Sequence, residues 1–218
     1  MTEFDWTAVT NNLPFLMQGL FLTFQLTILA MVGGILLGTV LAILRLSAPA
    51  PVPQLIAGYV NGLRAMPLIL VIFWFYLLVP LALGRPVGAF PSALIAFTLF
   101  EAAYYSEIIR AGIQGVARGQ LQAALASGLS YAQAMRYIVL PQAFRAMLPI
   151  LLTQSIILFQ DTSLVYVVGL RDFLTAANIV ASRDQRPVEM YLFIAAVYLV
   201  LCAGGSFAVR RLQRRLAR

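Results

Sequence analysis

Long apolar runs separated by short polar breaks set the rhythm of this chain. The first runs from about Gly19 to Leu44 without a charge. A spanning helix needs about 20 mostly apolar residues, so residues 19–44 predict a transmembrane helix. Gly33, Gly34 and Gly38 give it a small face for close helix approach, the last two at the four-residue spacing of tight membrane helix pairs. Arg45 and the prolines Pro49, Pro51 and Pro53 end it. Residues 54–79 predict a second, interrupted span. Pro67 removes a backbone donor there and is expected to kink the helix. Arg64, three residues earlier, is expected to snorkel to the cytoplasmic interface. A third span covers 92–113 and carries Glu101 among apolar neighbours. Glu107 and Arg110 follow at the spacing of a local ion pair.

Residues 114–141 differ in kind. They hold small residues, glutamines, Arg118 and Arg136, with hydrophobicity at helical period. They predict a water-exposed helical hairpin or amphipathic helix. Pro141 is expected to open the fourth span, 146–169 of which lie in the bilayer. Residues 170–182 suit a short interfacial helix, and a polar turn leads to a fifth span at 188–209. The fold class is therefore all-α integral membrane, with an outer segment 1–18 and a basic tail 210–218.

Composition agrees. Hydrophobic residues make up 61% of the chain and charged residues 11%, where soluble domains carry about 25% charge. So little charge does not cover a water-facing surface. All 15 basic residues are arginine, there is no histidine, and Cys202 is the one cysteine. Without lysine there is no P-loop lysine or Schiff base. Without histidine and with one thiol, triads, haem and ordinary zinc or iron–sulfur sites go too. No catalytic or metal site is expected, and no cofactor bound by this chain.

The net charge of +7 is not read as a nucleic-acid signature, because the arginines gather at the ends of apolar runs. Nine arginines (Arg45, Arg110, Arg118, Arg136 and five in the tail) fall on one side of five spans, and Arg85, Arg171, Arg183 and Arg186 on the other. The positive-inside rule then puts the C-terminus in the cytoplasm and the N-terminus outside. The acidic start, Glu3 and Asp5, lacks the basic region of a signal peptide, so the first run is expected to stay as a permanent span.

One pattern in the polar loop is specific. Gln122-Ala123-Ala124 is followed after three residues by Gly128, and after nine more by Ile138-Val139-Leu140-Pro141. Two alanines and Leu125 make a small apolar face able to enter a groove. Gly128 permits a sharp turn. Ile138 and Leu140 are expected to anchor the second helix, and Pro141 suits a helix start. Glu101-Ala102-Ala103 imitates the first triplet but lacks the glycine and lies inside a span. The spacing resembles the EAA loop of permease subunits of ATP-binding-cassette importers, with Gln for the leading Glu. Arg64-Ala65-Met66-Pro67-Leu68, the stretch from Phe100 to Gly112, and Gln160-Asp161-Thr162-Ser163-Leu164 resemble polar-amino-acid permeases, most of all those of glutamate/aspartate type. The resemblance implies a type I importer transmembrane domain with a coupling helix. It also implies a second permease, a periplasmic amino-acid-binding protein, and cytoplasmic ATPase subunits that hold ATP and magnesium.

Ionisable residues inside a membrane are costly and face protein or water. Glu101 lies about 15 Å into its span, near the midplane, and shares a face with Thr98 and Tyr105. That face is a candidate path; Glu101 would hold a substrate ammonium or make a structural hydrogen bond. Gln154 and Asp161 share a face of the fourth span. Gln160, Asp161, Thr162 and Ser163 would line the outer entrance or cap the next helix. No arginine is expected at the midplane, so the cation for an acidic substrate is left to the second permease, to helix termini or to the binding protein. A secondary transporter would show inverted repeats, and none is found. An intramembrane enzyme would have only Glu101 and Asp161, expected at different depths.

Overall fold

The computed structural model describes residues 5–216; Glu3 of the acidic start and Arg218 of the tail lie outside them. Helix α1 runs Thr7–Ser47, 41 residues, or about 60 Å. It therefore begins well before residue 19, and residues 7–18 are helical. Asn11, Asn12 and Pro14 look like a break in the sequence. Tertiary packing overrides them. Val9 and Leu16 are buried with Phe173, Val180 and Met190. Asn12 donates to Asp184 at 3.1 Å and accepts from Arg183 at 2.6 Å.

The second span is not kinked but broken. Helix α2 (Val52–Arg64) and α3 (Leu68–Leu83) meet at 110°. Pro67 offers no amide hydrogen and restricts Met66 before it to extended backbone, so the helical ladder stops at Arg64. At 13 and 16 residues, neither piece alone crosses a hydrocarbon core of about 30 Å. The Tyr59 hydroxyl donates to the Leu99 carbonyl at 2.6 Å and pins α2 to the helix that follows α3.

Helix α4 (Ala89–Gln114) is the central element. It packs along α1 where the small face was expected. A Cβ on Gly34 would meet the Glu101 Cβ at 3.0 Å, and one on Gly33 the Thr98 Cγ2 at 2.9 Å. One on Gly38 would meet the Ser106 amide nitrogen at 2.9 Å. Backbones approach this closely only through small residues.

After α5 (Arg118–Ala126) the chain turns and runs as one helical body over Tyr131–Val168. It consists of α6 (Tyr131–Ala134), a π turn over Met135–Val139, α7 (Leu140–Asp161) and a 3₁₀ stretch over Thr162–Val168. Pro141 thus stands in the first turn of α7, as expected, although the helical body is already under way from Tyr131. The π turn, in which the Leu140 amide reaches back to the Met135 carbonyl, resets the ladder just ahead of a residue with no amide to give. The 38 residues extend about 57 Å, so roughly half lies beyond the bilayer core. Helix α8 (Phe173–Asp184) follows. Its Phe173, Ala177 and Val180 are buried against α1 and the last helix, α9 (Pro187–Leu216). The basic tail through Leu216 continues α9 rather than hanging free. Among the described residues four helices are long and apolar enough to cross a membrane, or five spans with α2–α3 as one broken span.

Candidate functional site

Helices α4 and α7 enclose, with the end of α2, a cavity of about 630 Å³. Its wall includes Arg64, Tyr104, Glu107, Met147 and Gln154. Arg64, at the 110° break, is exposed on the cavity wall, where its guanidinium lies 5.2 Å from the centre of the Tyr104 ring. Tyr104 is three residues from Glu101, about 5 Å along the axis. Among the described residues Arg64 has no carboxylate partner. Only the aromatic face holds it.

Glu101 stands behind this wall. It is fully buried, with Gly34 of α1 on one side. On the other, Gln154 Nε2 donates to its two oxygens at 3.3 and 3.2 Å. Tyr105 is equally buried, and its hydroxyl shares a 3.0 Å hydrogen bond with Ser155. Thr98 packs on Gly33. Of the candidate path residues, Gln154 alone lines the cavity. Glu101→Gln keeps an acceptor for Gln154 and is expected to preserve both folding and uptake. Glu101→Leu strands a buried amide at about 1–3 kcal/mol and is expected to lower the melting temperature in detergent. A large uptake loss in Glu101→Gln at unchanged melting temperature would instead assign the carboxylate a charge role.

The end of the cavity toward Gln114 carries a polar cluster. Glu107 accepts from Arg45 at 2.6 Å and from Arg110, whose other amino group reaches Gln114. The local Glu107–Arg110 pair is present as expected, and Arg45 ties the end of α1 into it.

At the C-terminal end of α7 Gln160 is exposed, and Thr162 is buried with its hydroxyl turned to the Phe159 carbonyl at 2.7 Å. Asp161 begins the 3₁₀ stretch with no side-chain capping bond, so the capping role falls away. Ser163 is half-buried beside it. The cap belongs to Asp172, which accepts from the Leu174 and Thr175 amides at 3.1 Å and from the Thr175 hydroxyl. Burial pushes the Asp172 carboxyl above the ordinary carboxylate range, partly offset by those bonds. Its sequence signal was available: an Asp two residues after Leu170 and just before an apolar-periodic run.

In the loop, Gly128 takes φ +85°, the conformation its position demanded. Leu129 donates to the Ala124 carbonyl and Gly128 to the Leu125 carbonyl, which closes the turn. Ser130 starts the next helix with a capping box to Gln133, legible as Ser-x-x-Gln but not picked out. Ala124 is buried while Gln122, Ala123 and Leu125 face outward. Ile138 is half-buried and Leu140 is 42% exposed. The anchoring assigned to Leu140 is done by Val139 and Ala134, because the π turn shifts which residues face inward. Gln142 donates to Gln120 at 3.3 Å and braces α5 against α7. Tyr131 and Tyr137 are also exposed on this projection.

Residues 34–218 match the family described as binding-protein-dependent transport system inner membrane component. Over the full length of both chains, this chain is 52% identical to the glutamate/aspartate import permease protein GltK of Escherichia coli. It is 36% identical to the probable glutamine ABC transporter permease protein GlnM of Bacillus subtilis, over 94% of this chain and 95% of that one. A crystal structure of an amino acid ABC transporter with histidines superposes with a TM-score of 0.91 at 33% identity, over 99% of this chain and 100% of that one. An inward-facing methionine ABC transporter, MetNI, shares the fold at a TM-score of 0.79. A helical membrane body, a cavity with Arg64, Glu107 and Gln154 in its wall and a projecting Gln-Ala-Ala hairpin thus occur together in a chain that belongs to the inner-membrane permease components of binding-protein-dependent ABC transport systems.

Proposed function

We propose that the chain is one permease half of an importer that carries an acidic amino acid, glutamate or aspartate, from periplasm to cytoplasm. The observation that carries this reading is Arg64. It supplies, on the cavity wall beside Tyr104, the cation that an acidic substrate needs. The α2–α3 break adds the N-terminus of α3, whose first amides have no helical acceptors, as broken helices in transporters do for anionic groups. Full-length likeness to a glutamate/aspartate permease supports the same substrate.

The chain holds no lysine for a P-loop, so ATP and magnesium belong to cytoplasmic ATPase subunits. Leu125, Tyr131 and Tyr137, apolar surface on a segment in water, form the docking face for them. Gln122, Ala123, Ala124, Gly128, Ile138, Leu140 and Pro141 build the coupling hairpin. A periplasmic binding protein delivers the substrate, and a second permease closes the path that Gln154 lines, with Asp161 and Ser163 toward the outer entrance. The N-terminus is periplasmic and the C-terminus cytoplasmic, as the arginine distribution requires.

Reconstitution with these partners tests the proposal by ATP-dependent uptake of glutamate, aspartate, glutamine, histidine and arginine. Glutamate and aspartate are expected to be carried, and Arg64→Ala is expected to slow them about 10- to 100-fold, the loss of one charge-assisted contact. Arg64→Lys should restore part of the rate. Preference for a neutral or basic amino acid, or unimpaired glutamate uptake in Arg64→Ala, would sink this reading.

A further inference from the structure

A second cavity, of about 520 Å³, opens on the far side of the molecule between α1, α7 and α9. Phe24 and Ile28 of α1, Ile156 of α7, and Leu201, Gly205 and Leu212 of α9 are in its wall. Two hydroxyls in it are committed to their own helices. Thr27 donates to the Thr23 carbonyl at 2.8 Å and Ser155 to the Leu151 carbonyl at 2.9 Å. The groove therefore offers an occupant no free hydroxyl donor and suits hydrocarbon. From Leu201 to Leu212 it is about 16 Å long, roughly half a hydrocarbon core of about 30 Å, the depth of one leaflet.

The inner end of the groove is cationic. The α7–α9 seam continues into a smaller cavity lined by Arg145, Pro149, Gln213 and Leu216. On α9 the stripe of Leu201, Gly205, Ala208 and Leu212 runs on at helical period to Arg215. Among the described residues neither Arg145 nor Arg215 has a hydrogen-bond or ion-pair partner. The chain places no carboxylate in reach on these helices: none occurs between Glu107 and Asp161, and none after Glu189. Glu107 itself is held by Arg45 and Arg110.

We infer that this groove is a site for one anionic phospholipid of the inner leaflet. An acyl chain lies between α1, α7 and α9, and the phosphate sits between Arg145 and Arg215. A hydrocarbon slot one leaflet long that ends at unpaired arginines matches that molecule in shape and in charge. The inference is independent of what the transporter carries.

Native mass spectrometry of the purified transporter with its partner subunits tests it, with phosphatidylglycerol or phosphatidylcholine added. Phosphatidylglycerol should be retained at least tenfold better than phosphatidylcholine. Arg145→Ala with Arg215→Ala should abolish that preference. Ala208→Phe, which fills the groove, should lose both lipids; where it fails to assemble, the arginine pair decides alone. Equal retention of the two lipids, or retention unchanged in either variant, overturns the proposal. So does a short cross-link from Cys202, which lines the groove, to a neighbouring permease, since that would make the occupant a protein helix.

Discussion

Replacing Gly38 with leucine is expected to yield no folded, monodisperse permease. A Cβ at this position would meet the Ser106 amide nitrogen at 2.9 Å, the Ala102 carbonyl oxygen at 3.0 Å and the Tyr105 Cβ at 3.0 Å. Two of these are backbone atoms in the middle of α4, which yield only if the helix moves. Overpacking alone costs about 1–3 kcal/mol, occasionally more, and a leucine adds three further carbons to the same gap. Even Gly38→Ala is expected to lower the melting temperature, although alanine is the better helix former by up to about 1 kcal/mol. Gly58→Ala is the control: nothing stands within 4 Å of a Cβ there, so only the favourable propensity remains. Thermal melting in detergent and gel filtration read all three. Gly38→Leu that purifies with an unchanged melting temperature would mean that α1 and α4 do not meet as described.

The effect reaches the polar site because the same contact positions it. Gly34 faces Glu101 and Tyr105, and these two hold Gln154 and Ser155 of α7. Separating α1 from α4 therefore loosens the wall of the cavity.

That α1–α4 seam was legible in the sequence, because a cluster of glycines in an apolar run has few other physical uses. Gly128 was legible for a similar reason, and so was the Glu107–Arg110 pair, set by local spacing. What escaped depends on direction in space. Pro67 announces an interruption, but not whether the chain bends a little or by 110°, and the position of Arg64 hangs on that angle. The helical start of α1 is held by contacts to residues more than 170 positions away, which no local window contains. A π turn ahead of Pro141 rotates every later residue, which is why Val139 rather than Leu140 faces inward. Asp161 and Asp172 are both acids near helix ends, and only the backbone path between them tells which one caps.

Gly128→Val should uncouple the transporter while leaving the membrane body folded. The two halves of that expectation have separate causes. No atom lies within 4 Å of a Cβ at Gly128, so the substitution meets no steric wall and removes no packing. Its φ of +85°, however, is one that a β-branched residue occupies only as an outlier. Strain of about 1–3 kcal/mol is relieved most cheaply by opening the turn, since its closing bonds, Gly128 to Leu125 and Leu129 to Ala124, are few. Opening swings α5 away from α7 and breaks the surface on which Leu125 and Tyr131 face out together. Stimulated ATP hydrolysis and uptake should then fall together, by at least tenfold, with the melting temperature of the isolated permease within a few degrees of the parent. Gly128→Asn should retain much of the activity, because asparagine tolerates positive φ. If Val and Asn behave alike, the turn's conformation is not what links ATP hydrolysis to the membrane path.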